Sequence, residues 1–198
     1  MSSDSEIIER SRDTPGAFAG LYDRHAGAIY RYAARRIGAG VADDVMSETF
    51  LVAFERRAAF DPTVGDALPW LYGIATTLMK KHARLEAASW RGMYAAGTAE
   101  FDADDIANLE SRVDAEASVR RIDSALRRLA KRDRDVLLLQ AWADLSYEDI
   151  ALALDIPVGT VRSRLNRARR VLREAISRGK APEMEVDHGR VNSAAQGS

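Results

Sequence analysis

The stretch LSYEDIALALDIPVGTVRSRLNRARRVL, residues 145–172, decides the fold of this chain because it predicts two helices joined by a tight turn. Ser146 is placed to cap the first helix, and Asp149 three residues later completes a capping box. Asp155-Ile156 interrupts the pattern, and Pro157 suits the first turn of the next helix, where its missing N–H is not needed. The spacing therefore predicts a helix-turn-helix.

The second of these helices has one apolar and one arginine-rich face. Its inward stripe, at intervals of four, three and four, is Val161, Leu165, Ala168 and Leu172. One residue later the same intervals give Arg162, Asn166, Arg169 and Arg173. Residues 157–173 contain six arginines and no acid. A solvated helix usually mixes both signs, so this face favours an anionic partner, and the helix is shaped for a DNA groove.

Composition limits the class of protein. The chain has 198 residues, 46% of them hydrophobic and 30% charged, which is enough to bury a core. With no cysteine, it contains no disulfide scaffold, Cys-ligated zinc finger or thiol sensor of its own. The N-terminus is polar and acidic and therefore unlike a secretory signal, and no apolar run approaches the ~20 residues that cross a bilayer. We expect a cytoplasmic protein with no membrane insertion of its own.

The net charge of −1 conceals a strong asymmetry along the chain. Residues 95–118 hold seven acids and one base, a local net of −6, whereas residues 119–178 hold fourteen bases and eight acids, a net of +6. An acidic segment thus cancels a basic unit in the total. Distribution matters more than the sum for binding an anionic polymer.

Helical spacing runs through most of the chain, and the period-2 and hairpin signals of strands are absent. We therefore predict an all-α fold of two small helical domains joined by a flexible acidic linker. The predicted boundaries are 14–94 and 119–178 for the domains, 95–118 for the linker, and 179–198 for a disordered tail. In the first domain we expect a helix after Thr14-Pro15 that ends at Gly38-Ala39-Gly40, and others over about 42–59 and 69–90. Asp133 is expected to cap a helix in the second.

Four blocks of sequence in order resemble a bacterial RNA polymerase sigma factor of the compact extracytoplasmic-function (ECF) type. Three of them resemble region two: FAGLYDRHAGAIYRYAARR (18–36), DDVMSETFLVAFERR (43–57) and LPWLYGIATTLMKKHARLEAASWR (68–91). The fourth, residues 125–176 with the helix-turn-helix, resembles region four. The resemblance spans about residues 16–176 and implies a region-2 helical bundle and a region-4 helix-turn-helix. The sequence shows no counterpart of the domain that separates these two regions in the larger housekeeping relatives.

In the second block, the resemblance implies that a charged helix face docks on the clamp coiled coil of the polymerase's largest subunit. The residues are Asp43, Asp44, Glu48, Glu55 and Arg56. A charged face suits fast and specific docking, although without the resemblance these residues also fit an ordinary surface with acids at a helix N-terminus. The flap of the core enzyme is expected as a second contact.

The third block is implied to hold the opened non-template strand of the minus-10 element. The candidates are Trp70, Thr77, Lys80, Lys81, Arg84 and Arg91. Unstacked bases bind aromatic faces and cationic grooves, although ordinary core packing is the stronger reading of Trp70. Thr77 stands where many relatives have Asn, and a hydroxyl cannot present an amide's paired donor and acceptor, which leaves the base preference open.

The helix-turn-helix is implied to read the minus-35 element in the major groove. The candidates are Thr160, Arg162, Ser163, Arg164, Asn166, Arg167 and Arg170. Residues near the start of a recognition helix usually reach the bases, so we assign base contacts to Arg162, Ser163 and Asn166 and phosphate contacts to the other four.

These features predict an alternative sigma factor that directs core polymerase to promoter DNA under the control of an anti-sigma factor. No cofactor, metal or catalytic role is expected, because the three histidines lie far apart and no phosphate loop or metal motif occurs. The alternative is a helix-turn-helix regulator that binds duplex DNA without polymerase core. That alternative leaves the first domain without an explanation.

Overall fold

The computed structural model describes the backbone of residues 2–95 and of 121–177 apart from 123, with side chains up to residue 84 in the first range. Within these ranges all regular secondary structure is helical, as predicted. The main helices are α1 (Asp4–Asp13), α2 (Ala19–Ile37), α3 (Ala39–Glu55), α4 (Leu68–Ala95), α5 (Lys131–Ala143), α6 (Tyr147–Leu154) and α7 (Val158–Ser177). Apart from Ala95, the predicted linker lies outside the described residues, as does the predicted tail at 179–198.

Helices α1–α4 form the first bundle around a continuous apolar core. Leu21 and Ile29 of α2, Val45 of α3 and Leu71 of α4 are fully buried in it. Gly38 separates α2 from α3 with φ at +90°, a conformation that glycine adopts without steric cost. The predicted end of the helix at Gly38 is confirmed, but the next helix, α3, begins immediately at Ala39 and not at about residue 42.

Helix α1 was not predicted, because its sequence is mostly polar. Ser3 caps it in a capping box with Glu6, and Ile7 and Ile8 are only 4% and 1% exposed. Its first residue, Asp4, is also buried and joins three elements. The Asp4 carboxylate accepts a hydrogen bond from the Ala67 N–H at 3.1 Å, contacts His25 Nε2 at 2.6 Å and pairs with Arg24.

Helices α5–α7 form the second unit and contain the predicted helix-turn-helix. The Ser146–Asp149 capping box is present, and Ile150, Val161 and Leu165 are fully buried. Asp155 ends α6 in the left-handed conformation, at φ +50°, which produces the tight turn before α7. The turn and the inward stripe of α7 therefore follow the predicted spacing.

The expectation that Asp133 caps a helix is wrong. Helix α5 begins at Lys131, and the preceding Ala130 gives it no side-chain cap. Asp133 lies inside the first turn and is only 7% exposed. It accepts two hydrogen bonds from Arg167 of α7, each 3.1 Å long. Its carboxylate therefore joins two helices instead of ending one.

The two units pack against each other. Helix α4 lies on α6 and α2 touches α5, so one apolar core runs through both units. The contact at Gly73 of α4 is so close that a Cβ there would lie 2.3 Å from the Ala153 carbonyl oxygen of α6. The sequence predicts only a linker between the units, so their direct contact is an additional finding.

Candidate nucleic-acid and polymerase interface

The outer face of α7 is the strongest candidate for DNA contact. Arg162, Ser163 and Asn166 are exposed near its N-terminal end, where a recognition helix meets base edges. Val161 and Leu165 on the opposite side are fully buried and fix the direction in which this face points. Among the candidate phosphate contacts, Arg170 is exposed, and Thr160 and Arg164 are half-buried.

Two arginines of α7 are already bound by the second unit. Arg167, a predicted phosphate contact, pairs with Asp133 through Nε and Nη2, and this pairing raises its pKa. Arg169 donates to the Gln140 side chain at 2.7 Å and to the Tyr147 hydroxyl at 3.4 Å. Both side chains therefore brace α7 against α5 and α6, a role that spacing alone did not reveal.

A second basic surface lies along α4. Thr77 and Arg84 are exposed, and Lys80 is half-buried at 39%. The Thr77 hydroxyl donates to the Gly73 carbonyl oxygen at 3.0 Å within the same helix. Lys80 and Arg84 are one turn apart and share a face. Arg91 is part of α4, but its side chain lies outside the described residues.

Trp70 and Tyr72, the aromatic side chains of this block that the structure describes, both pack against other rings of the first bundle. Tyr72 is 3% exposed and packs edge-on against Tyr32, with ring centroids 5.1 Å apart. Trp70 is half-buried, and its ring lies 5.2 Å from that of Phe60 at the start of the loop before α4. Trp70 therefore offers at most part of its surface to a base.

The exposed side of α3 carries acids around a leucine. Asp44, Glu48, Leu51 and Glu55 follow one another at intervals of four, three and four, so they form a single stripe. Leu51 is 57% exposed in the middle of it. The acids are sequence-predicted docking residues, together with the exposed Asp43 and Arg56, whereas Leu51 was not predicted. Its signal was the same spacing that placed Asp44 and Glu48 together.

Glu48 connects this stripe to α4. It accepts a hydrogen bond from Lys81 Nζ at 2.9 Å and lies 3.1 Å from His82 Nε2. The hydrogen bond from Lys81, together with that of His82, lowers the pKa of Glu48. Lys81, predicted as a DNA contact, thus already has an acidic neighbour.

A strongly basic cleft of about 590 Å³ lies where the two units meet. From the first unit it is lined by Arg35, Arg36, Lys80 and Arg84. From the second unit come Arg127, Lys131, Arg132 and Arg134. Asp135 is the sole carboxylate among the described residues that line it, and Met79, Leu138 and Trp142 supply apolar surface.

Asp4, His25 and Asp66 bring three metal-ligating side chains within 4.8 Å of one another. Their donor atoms are engaged by the protein, however. Asp66 accepts the Leu68 N–H at 2.8 Å, and Asp4 is bound by His25, by Arg24 and by a backbone N–H. A guanidinium at this position opposes a bound cation, so the cluster serves to join α1 to α2 and α4.

Among the described helices, none is long and apolar enough to cross a membrane.

Family models match both units of the chain. The model described as Sigma-70 region 2 matches residues 21–88, and that described as Sigma-70, region 4 matches residues 119–172. Together they cover α3, α5 and α6 and most of α2, α4 and α7.

Characterised relatives are similar over most of their length. The ECF RNA polymerase sigma factor SigL of Mycobacterium tuberculosis (strain H37Rv) is 32% identical over 154 residues, covering 77% of this chain and 85% of the relative. The RNA polymerase sigma-H factor of Pseudomonas aeruginosa is also 32% identical, over 188 residues, covering 89% of this chain and 95% of the relative.

Solved structures share the fold. CnrH, determined in complex with the cytosolic domain of CnrY, superposes with a TM-score of 0.60 at 24% identity, covering 89% of this chain and 99% of CnrH. The sigma factor RpoE of Bartonella quintana, determined with the anti-sigma factor NepR, gives 0.56 at 20% identity, covering 81% and 96%. With regions two and four in order on the two helical units, this chain belongs to the ECF sigma factors, which direct transcription initiation without being enzymes themselves.

Proposed function

We propose that this chain bridges RNA polymerase core and promoter DNA, with each of three helix faces contacting a different partner. The observation that carries the proposal is the exposed arginine face of α7, presented by a helix-turn-helix on the same chain as the acidic α3 stripe. The first domain grips the core and the opened strand, and the second reads duplex DNA upstream.

Helix α7 would enter the major groove of the minus-35 element. Its exposed Arg162, Ser163 and Asn166 would meet base edges, and arginine pairs bidentately with guanine. Thr160, Arg164 and Arg170 would contact phosphates and set the position of the helix without reading sequence. Arg167 would reach a phosphate only by sharing its guanidinium with Asp133.

Helix α4 would hold the non-template strand of the minus-10 element. Lys80, Arg84 and Arg91 recur on one face of the helix, and Thr77 is exposed on the preceding turn. Cations along a groove bind a strand with little regard to sequence, and base stacking adds affinity where Trp70 is accessible. The energy that keeps the strands apart would come from this binding, since no nucleotide-hydrolysing motif occurs in the sequence.

The α3 stripe would dock on the clamp of the largest polymerase subunit, with the flap contacting the second domain. An exposed leucine flanked along the helix by Glu48 and Glu55 has the character of an interface centre, in which an apolar anchor is surrounded by polar groups. Tyr22 of α2 is a further exposed apolar side chain of the same domain, 41% exposed, and its ring packs edge-on against that of Phe50 of α3 with centroids 4.9 Å apart.

The same surfaces suit control by an anti-sigma factor, which would act by covering them. The resemblance to RpoE bound to NepR supports this regulation, and a partner of polymerase core would work in the cytoplasm. The rival function, a regulator that binds duplex without core, gains no support from the acidic stripe on α3.

Run-off transcription with purified core polymerase on a random promoter library tests the proposal. We expect start sites that depend on this chain and share two conserved elements, one near minus 35 and one near minus 10. Duplex binding should be weak for the chain alone and strong with core. Tight duplex binding without core, together with unchanged start sites, would favour the rival regulator.

A further inference from the structure

Asp135 of α5 forms ion pairs across the contact between the two domains. Its side chain is 3% exposed, although it belongs to a helix of the second domain. Arg36 of α2 pairs with one carboxylate oxygen, and Lys80 Nζ of α4 lies 2.7 Å from the other. Both cations come from the first domain, so a single carboxylate holds two of its helices.

The partners of Asp135 are themselves fixed in place. Arg36 is only 9% exposed and also donates to the Tyr32 hydroxyl at 2.7 Å, while Tyr32 is fully buried in the first bundle. This chain of contacts connects the core of the first domain to α5. An ion pair so fully withdrawn from water is screened little by salt, in contrast to a surface pair.

The negative charge of Asp135 offsets positive charge in the contact between the domains. The cleft around it brings eight cations from both domains together, and Asp135 is the sole carboxylate among the described lining residues. Removal of its charge would leave Arg36 and Lys80 in the contact without their counter-ion. The contact would then be repulsive.

Shape also holds the domains in contact. At Gly73 the backbone of α4 approaches the Ala153 carbonyl oxygen so closely that any side chain would clash, at 2.3 Å for the first carbon. Gly73 is on the same helix as Lys80, two turns earlier. Steric fit and the ion pairs therefore close the same surface of α4 by independent means.

The Lys80 ammonium cannot bind Asp135 and a DNA phosphate at the same time. In the closed arrangement its ammonium is bound by Asp135, whereas strand capture needs it for phosphate. We propose that Asp135 is an electrostatic latch that keeps the free chain closed and withholds Lys80 from nucleic acid until the phosphates of the promoter strand replace its carboxylate. This inference rests on the proposed function and concerns the regulation of the same α4 surface.

Domain separation can be measured directly because the chain has no cysteine of its own. Glu9→Cys on α1 and Ser177→Cys at the end of α7, both exposed and in different domains, accept a pair of fluorophores. The latch is opened in two ways, by Asp135→Asn, which keeps the shape and removes the charge, and by Gly73→Ala, which inserts a carbon. Asp23→Asn is the matched control, because it removes one carboxylate charge from an exposed position of α2 that does not line the cleft.

We expect both opening variants to show lower energy transfer in the free chain. Their affinity for a single-stranded minus-10 oligonucleotide should rise about tenfold, since a larger fraction of the chain is competent to bind. The control variant should retain the wild-type transfer efficiency and affinity. Wild-type chain bound to core and promoter should show the same low transfer as the opened variants.

Unchanged energy transfer and DNA affinity in Asp135→Asn would overturn the latch, as would an equal opening by the control variant. Opening without a gain in DNA affinity would overturn it too, because Lys80 would then not be what the closed state withholds. Failure of the proposed function has a different signature. In that case the wild-type chain would not alter start sites with saturating core, whatever its energy transfer.

Discussion

Arg167 of the recognition helix binds Asp133 of α5 with two hydrogen bonds of 3.1 Å, although its spacing places it on the DNA-facing side. Paired donors and acceptors in this geometry fix direction as well as distance. The pair therefore sets the rotation of α7 about its axis relative to α5. That rotation determines which side chains project into a groove, so Asp133 influences DNA reading without approaching DNA.

Arg162→Ala should reduce discrimination at one position of the minus-35 element. Arg162 is exposed at the N-terminal end of α7, where base contact is expected, and loss of a bidentate pair with guanine costs about 1–3 kcal/mol. Competition binding of the holoenzyme to single-base variants of the element measures the effect.

Arg170→Ala provides the comparison for this change, since Arg170 is exposed on the same helix and is assigned to phosphate. It should weaken binding to all variants of the element nearly equally and reduce the salt dependence of binding. A position-specific loss in Arg170→Ala, with a uniform loss in Arg162→Ala, would reverse the two assignments.

Lys80→Ala combined with Arg84→Ala should weaken open complexes and leave upstream duplex binding by the holoenzyme intact. These residues share one face of α4, on the domain that lacks the helix-turn-helix. Permanganate reactivity of the opened strand and the lifetime of competitor-resistant complexes report the loss. Glu9→Ala, on the exposed side of α1, should leave both quantities at the wild-type value.

Local patterns were enough to predict the recognition element. The capping box at Ser146, the turn at Asp155 and the apolar stripe of α7 are encoded within about thirty residues, and each has a local physical cause. The all-α fold follows for the same reason. Partners that are distant in sequence were not predictable from spacing, which explains the error at Asp133, whose arginine lies 34 residues away.

Helix α1 shows the second limit of sequence reasoning. Its apolar content is two adjacent isoleucines, too few for a periodic signal, and its stability depends on contacts with residues 20 and more positions away. The contact between domains escaped prediction similarly, because Gly73 and Asp135 acquire their meaning only from the residues opposite them. Spacing along one helix contains no information about either partner.

Leu51→Ala should weaken binding to core polymerase by about 1–2 kcal/mol, roughly tenfold in affinity, because it removes an apolar anchor from the acidic stripe. At 57% exposure the side chain contributes little to the bundle, so thermal unfolding should be nearly unchanged. Fluorescence anisotropy with labelled chain and purified core measures the affinity. Ile176→Ala, 51% exposed in the last turn of α7, is the matched control and should bind as the wild type does.

The stability that Asp4 gives to the first bundle should disappear in acid. Burial alone would raise the pKa of its carboxyl, but the Ala67 N–H, His25 and Arg24 outweigh this effect, and the pKa lies below its ordinary value of 3.8. A carboxyl whose pKa is lowered in the folded state contributes its full stabilisation at pH values above its pKa in the unfolded chain. This contribution is lost as pH falls through its pKa in the folded state. Asp4→Asn should therefore have a lower free energy of unfolding than the wild type at neutral pH, and the difference should shrink below pH 3.8.

Urea denaturation of wild type and Asp4→Asn over a pH series measures both the free energy of unfolding at neutral pH and its change in acid. Glu9→Gln, exposed on the same helix, is the control and should follow the wild-type curve. The prediction is contradicted if the difference between wild type and Asp4→Asn persists unchanged in strong acid, because shape and not charge would then hold α1 in place.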